Sequence, residues 1–205
     1  SVLLAAYNSA VRAIGEGRSI TPASEWLVDN YHLVERHVRE IHDDLPAGYY
    51  RQLPKLSAGP FTGYPRIFGL AWAFVAHSDS CFEPGLLLRY LAAYQSVQPL
   101  TIGELWAISV TLRIVLIENL RRLASDTVRH RLERAEADLL ADRLLADVGK
   151  TAMPPELVFS AFGKGPLSSA FAVQLVHRLR DQDPRLTPAL EWLDRRLAEH
   201  GTSAE

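Results

Sequence analysis

The chain has 205 residues, 48% of them hydrophobic and 22% charged, with a net charge of −2. A chain of that length buries a sizeable core without staples, and the even balance of charge excludes a dedicated nucleic-acid binder, which needs a concentrated basic face. The single cysteine, Cys81, excludes an intrachain disulfide framework and a cysteine-rich zinc site. As a small apolar side chain it is expected to be buried.

The periodicity is helical almost throughout, with no sustained polar/apolar alternation between hairpin turns. The opening SVLLAAYNSAVRAIGEGRS is amphipathic and lacks the basic start and cleavage site of a signal peptide. It predicts a helix over 2–14 that ends at Gly15 and Gly17, so that 1–19 reads as an N-terminal helix or a linker. Thr21-Pro22 then starts a second helix, with Thr21 as cap and Pro22 pre-set at the first helical position. Trp26, Leu27, Leu33, Val34, Val38, Ile41 and Leu45 give it an apolar face, and Pro46 and Gly48 stop it.

The stretch PAGYYRQLPKLSAGPFTG at 46–63 is rich in proline and glycine, yet its aromatic and leucine residues predict a loop packed down on the body. Helices follow over 64–77 and 83–97. Pro99 and the capping box Thr101-Ile-Gly-Glu104 launch the most apolar helix, 102–124, expected at the centre of the bundle. Its apolar run at 105–117 is interrupted by Arg113 and is too short to span a bilayer.

Residues 121–147 alternate arginines with acids at helical spacing, which reads as a solvated helix face. A short helix at 156–162, another at 167–181 and a last one from Thr187-Pro188 to about 199 complete an all-α bundle of about eight or nine helices. A helical domain over 20–200 and a disordered tail at 201–205 are expected.

Catalytic motifs are weak. Glu25, Asp29, His32 and Arg36 share one helix face, but with no HExxH pair, and with His37 and His42 five apart and pointing elsewhere, they read as a polar face with local ion pairs. Asp181-Gln182-Asp183 spells D-x-D, by which nucleotide-sugar glycosyltransferases hold a divalent cation. Here it ends a helix before Pro184, where a capping role suffices. Gly163-Lys164-Gly165 lacks the rest of a phosphate loop, and Ser168 and Ser169 read as helix caps. No catalytic residue, metal or cofactor is assigned.

An aromatic and charged group is more informative. Tyr49, Tyr50, Arg51 and Lys55 lie in the 46–63 segment, and Glu104, Trp106, Arg113, Glu118 and Asn119 lie on the apolar helix. Charges on such a helix need partners, so Arg113, Glu118 and Asn119 are expected to be paired. Flat apolar faces beside planar hydrogen-bonding groups are also what a carbohydrate cleft uses, which makes these nine residues the candidate sugar-binding set.

The same segments carry a resemblance. ITPASEWLVDNYHLVERHVREIHDDLPAGYYRQLPKL, GYPRIFGLAWAFVAHSD, QPLTIGELWAISVTLRIVLIENLRRLA and FAVQLVHRLRDQDPRLTPALEWLDRRLA together resemble the amino-terminal region of bacterial cyclic β-1,2-glucan synthases. The resemblance implies a large inner-membrane parent that builds and cyclises a β-1,2-glucan from UDP-glucose. No transmembrane helix, strand-borne D-x-D, Q-x-x-R-W signature or phosphorylase segment is legible here. The chain therefore looks like an excised helical domain from the cytoplasmic, amino-terminal end of such an enzyme. The resemblance implies that it docks on the glucosyltransferase core or orders glucan near it, with the rest of the synthase and β-1,2-glucan as partners and no insertion in the membrane.

Two alternatives stand beside that expectation. One is a helical carbohydrate-active domain with an acid pair drawn from Glu25, Asp29, Glu104 and Glu118, whose separation across an open cleft would set the stereochemistry. The other is an assembly surface with an exposed apolar patch and no sugar contact.

Overall fold

The computed structural model describes residues 2–147, 167–180 and 184–199. These contain eight α-helices, one 3₁₀ turn and no strand, in agreement with the all-α bundle expected from the periodicity. They form two compact units, divided between Ser125 and Asp126. The expected helix at 156–162, the Asp181-Gln182-Asp183 and Gly163-Lys164-Gly165 triplets and the tail at 201–205 lie outside the described residues.

The first unit opens with α1 (Val2–Gly15), which packs on α2 (Pro22–Asp44). The buried positions of α1, Leu3, Ala6, Ala10 and Ala13, recur every three or four residues and are mostly small. Tyr7 stacks on Tyr31 of α2 at 4.6 Å. The start of α2 follows from its cap, since Thr21 Oγ1 accepts from the Ser24 amide at 3.3 Å and Pro22 occupies the first helical position. Its apolar face is narrower than expected. Leu27 and Val34 are buried, whereas Trp26 and Val38 face solvent.

The proline-rich segment is more ordered than a packed-down loop. Ala47–Gln52 forms the short helix α3. Beyond it the chain doubles back on itself. The Leu56 amide donates to Tyr64 O at 2.9 Å, the Gly63 amide to Leu56 O at 2.9 Å and the Arg66 amide to Pro54 O at 2.7 Å, around an isolated Lys55–Pro65 bridge. Gly59 and Gly63 take φ of 87° and 85°, the left-handed region that L side chains avoid. This closed turn delivers Phe61 and Tyr64 to the start of α4 (Arg66–His77).

The helix α5 (Pro84–Gln95) and the N-terminal part of α6 complete the first unit. One apolar cluster joins Leu53, Ile67, Leu70, Leu91, Leu100, Ala107 and Val110. A second joins Ala71, Phe74, Val75, Leu112 and Val115, with Phe68 and Trp72 packed against its edge. Cys81, expected to be buried, is exposed. It follows a tight turn at Asp79 and Ser80, which carries it past the end of α4 and away from both clusters.

The helix α6 runs unbroken from Ile102 to Asp147, joining the segments expected at 102–124 and 121–147. The expected ion pairs are present, with Arg129 reaching Asp126 at 2.9 Å and Glu133 at 3.8 Å. The later part of α6 is more than a solvated face, however. Ala137, Leu140, Ala141 and Leu144 form the core of the second unit. They meet Phe171, Ala172, Leu175 and Leu179 of α7 (Ser169–Leu179) and Ala189, Leu193 and Leu197 of α8 (Thr187–Glu199), with Leu186 from the 3₁₀ turn. Ser168 caps α7 by accepting from the Phe171 amide at 3.2 Å, and Arg178 ties α7 to Asp138 and Asp142 of α6.

Candidate functional site

The first turn of α6 shows what the sequence-predicted residues do locally. In the capping box, the Glu104 amide donates to Thr101 Oγ1 at 3.2 Å and the Thr101 amide donates to Glu104 Oε2 at 2.9 Å. The same carboxylate, 0% exposed, receives both Arg66 Nε at 2.8 Å and Arg66 Nη2 at 2.6 Å. Burial alone would raise the Glu104 pKa. The hydrogen bonds from Arg66 and Thr101, with the Arg66 charge, outweigh it and hold the carboxyl below its ordinary value. Tyr49 donates its hydroxyl to Gly103 O, fastening α3 to the same turn.

The other expected residues are distributed around the first unit. Trp106 is 81% exposed, because Ala107, Val110, Thr111 and Val115 take the buried side of α6. Arg113 donates to Asp44 at 3.0 Å and Glu40 at 3.4 Å on α2. Arg121 holds Glu118 through two hydrogen bonds of 2.7 Å, which lower the Glu118 pKa against the opposing effect of burial. Asn119 donates to Ser80 Oγ at 2.9 Å. Arg51 and Lys55 are exposed. Tyr50 is half-buried, and burial together with the neighbouring Tyr64 phenol raises its pKa.

A row of aromatic side chains runs from Tyr64 to the Asn119 region. Tyr64 stacks on Phe68 at 5.1 Å between centroids, Phe68 lies 5.4 Å from Phe61, and Phe61 lies 5.3 Å from Trp72. Trp72 in turn lies under the Arg122 guanidinium, 5.4 Å from the ring centroid. At this end a cleft of about 150 Å³ opens, lined by Trp72, Val75, Ala76, Val115, Asn119 and Arg122. The 68/72 spacing was a legible helical signal for two members of the row, whereas Tyr64 precedes α4 on the closed turn. Phe61 depends on the closed turn at 54–66, and Arg122 was hidden within an arginine- and acid-rich stretch.

Glu104 and Glu118 are two of the four carboxylates weighed as an acid pair. Each is engaged by an arginine, and each has a lowered pKa, the reverse of what a general acid at neutral pH requires. Glu25, Asp29, His32 and Arg36 lie on the solvated side of α2, with Arg36 reaching Glu40 at 3.9 Å. Among the described residues no group of three or more His, Cys, Asp or Glu side chains is placed to hold a metal ion. None of the described helices is long and apolar enough to cross a membrane.

No family model matches the chain. It is 38% identical over 203 residues to the cyclic beta-(1,2)-glucan synthase NdvB of Rhizobium meliloti (strain 1021), in an alignment that covers 99% of this chain and 7% of that protein. The expected resemblance to such synthases is therefore present along almost the whole chain, and it concerns one small part of the synthase.

Proposed function

We propose that this chain is a non-catalytic helical module of a cyclic β-1,2-glucan synthase, which docks on the rest of the enzyme and orders glucan beside its glucosyltransferase core. The observation that carries this reading is the near-complete alignment of the chain to a segment amounting to 7% of NdvB. Glu104 and Glu118 support the non-catalytic part, since their carboxylates are committed to Arg66 and Arg121. The module acts on the cytoplasmic side of the inner membrane, with membrane attachment supplied by the rest of the synthase.

Docking is favoured by Ile102, Leu105 and Trp106, which share one face of α6 at helical spacing and are 75%, 39% and 81% exposed. An exposed tryptophan flanked by aliphatic side chains is the kind of anchor on which protein interfaces depend.

The test is in two parts. Incubated with UDP-glucose and with linear β-1,2-gluco-oligosaccharides, the chain should neither transfer nor hydrolyse glucose, and turnover would overturn the reading. Mixed with the remaining synthase, the chain should associate, and Trp106→Ser should weaken that association. Association unchanged by Trp106→Ser would remove the assigned docking face.

A further inference from the structure

The aromatic row of Tyr64, Phe68, Phe61 and Trp72 ends at the cleft beside Asn119. Its last member, Trp72, is held on three sides. Its body packs on the Ala71, Phe74, Val75, Leu112 and Val115 cluster, Phe61 leans on it at 5.3 Å, and Arg122 covers it at 5.4 Å. A wall so fixed loses little side-chain entropy when a ligand arrives. Val75, Ala76 and Val115 add apolar surface to the cleft.

The polar groups of the cleft are mixed in type. Arg122 supplies guanidinium donors. Asn119 spends its amide nitrogen on Ser80 Oγ outside the lining, which leaves its carbonyl oxygen as an acceptor. Vicinal hydroxyls, each both donor and acceptor, are met by such a set. A diphosphate is matched less well, because Glu118 lies within the electrostatic reach of Arg122 and Arg121 is already spent on it.

Size and backbone agree with a small, positioned ligand. A cavity of about 150 Å³ accommodates a single six-membered ring. Ser80 and its neighbour Asp79 both adopt left-handed backbone, φ 61° and 48°, an uncommon conformation for two consecutive non-glycine residues. That turn ends α4 and brings the Ser80 hydroxyl to Asn119, so local strain is tolerated where it sets the polar end of the cleft.

We infer that the Trp72–Asn119 cleft is a subsite for one glucosyl ring of a β-1,2-glucan, with Trp72 as its apolar wall and Arg122 and Asn119 as partners for the ring hydroxyls. The subsite rests on the reading of the chain as a glucan-ordering module and says where on it the glucan sits. Neighbouring glucosyl units run along Phe61, Phe68 and Tyr64, whose contacts form a continuous path from the cleft.

Calorimetric titration of the chain with linear β-1,2-gluco-oligosaccharides, with maltooligosaccharides, UDP-glucose and inorganic phosphate in parallel, tests the assignment. Saturable binding of the β-1,2-glucan alone is expected. Arg122→Ala and Asn119→Ala should each weaken it about tenfold, as loss of a hydrogen bond to a sugar hydroxyl requires. Both side chains are partly or fully exposed, so the variants should keep the wild-type circular dichroism, and Trp72→Phe provides a milder change at the wall. Glucan binding that all three variants leave unchanged would overturn the subsite while leaving the glucan-ordering reading in place. Absence of glucan binding by the wild-type chain would overturn both the subsite and the glucan-ordering role. Binding of UDP-glucose or phosphate in place of glucan would also overturn the subsite.

Discussion

Arg66, the first residue of α4, and Glu104, in the first turn of α6, meet in a paired hydrogen bond of 2.8 and 2.6 Å with the carboxylate fully enclosed. Arg66 Nη2 also reaches Pro99 O at 3.2 Å, so a single guanidinium joins the start of one helix to the approach of another. Removing one partner leaves the other charge desolvated. Glu104→Gln and Arg66→Ala should therefore each destabilise the first unit by about 3 kcal/mol or more in urea titrations followed by tryptophan fluorescence. The double variant Arg66→Met/Glu104→Leu should recover much of that loss, since apolar replacements of a buried pair are often neutral.

The same pair sets a pH response. Glu104 has a lower pKa folded than its ordinary value of 4.5, so the folded state binds its proton less readily than the unfolded chain. Its contribution is fully present above that ordinary value and is lost as the pH falls through the folded one. Unfolding midpoints measured downwards from neutral pH should fall in acid for the native chain, with a shallower fall for Arg66→Met/Glu104→Leu.

Closure of the 54–66 turn depends on backbone conformation more than on space. Gly63 has φ 85° with nothing within 4 Å of the position a Cβ would take. Gly63→Ala should thus cost about 1–2 kcal/mol through the left-handed backbone alone. Loosening of Phe61 and Tyr64 should appear as shifted aromatic resonances at Phe68 and Trp72.

Asp79 and Ser80 show the opposite case. Glycine relieves their positive φ but adds freedom to the unfolded chain, so Ser80→Gly should stabilise folding by up to about 1 kcal/mol. It also removes the hydroxyl that accepts from Asn119, and glucan affinity should fall while the thermal midpoint rises. A gain in both quantities would separate the turn from the cleft.

Much of the helical framework was legible because its signals are local. Thr21 with Pro22, Thr101 with Glu104, and Ser168 with Phe171 place helix starts within four residues, and each cap forms as its residue types require. Long-range partners were not legible. Glu104 was visible as a capping residue, but its arginine lies 38 positions earlier, and only the packing of α4 against α6 brings Arg66 there. Trp106 and Trp72 illustrate the same point. Trp106 was a candidate for the cleft and Trp72 was not singled out, yet the direction of the buried side of α6 leaves Trp106 in solvent while α4 carries Trp72 to the edge of an apolar cluster. The core of the second unit was masked by the charge pattern around it, because Ala137, Leu140, Ala141 and Leu144 are interleaved with the acids and arginines of a solvated face.

That second core makes its own prediction. Leu193 is 0% exposed among Leu140, Leu175 and Leu197, so Leu193→Ala should cost about 2–5 kcal/mol by lost burial and a residual cavity. Hydrogen exchange of the α7 and α8 amides measures it directly. The exposed Leu139→Ala should be close to neutral.

The central claim, that this helical module handles glucan at the end of its aromatic row, is tested most directly by fluorine NMR of the chain labelled with 5-fluorotryptophan. The four tryptophans report from separate places: Trp26 on α2, Trp72 at the cleft, Trp106 on the exposed face of α6 and Trp192 in the second unit. On titration with linear β-1,2-gluco-oligosaccharides, the Trp72 resonance should shift saturably while the other three stay fixed. A shift confined to Trp106, or four unchanged resonances at millimolar sugar, would contradict the account.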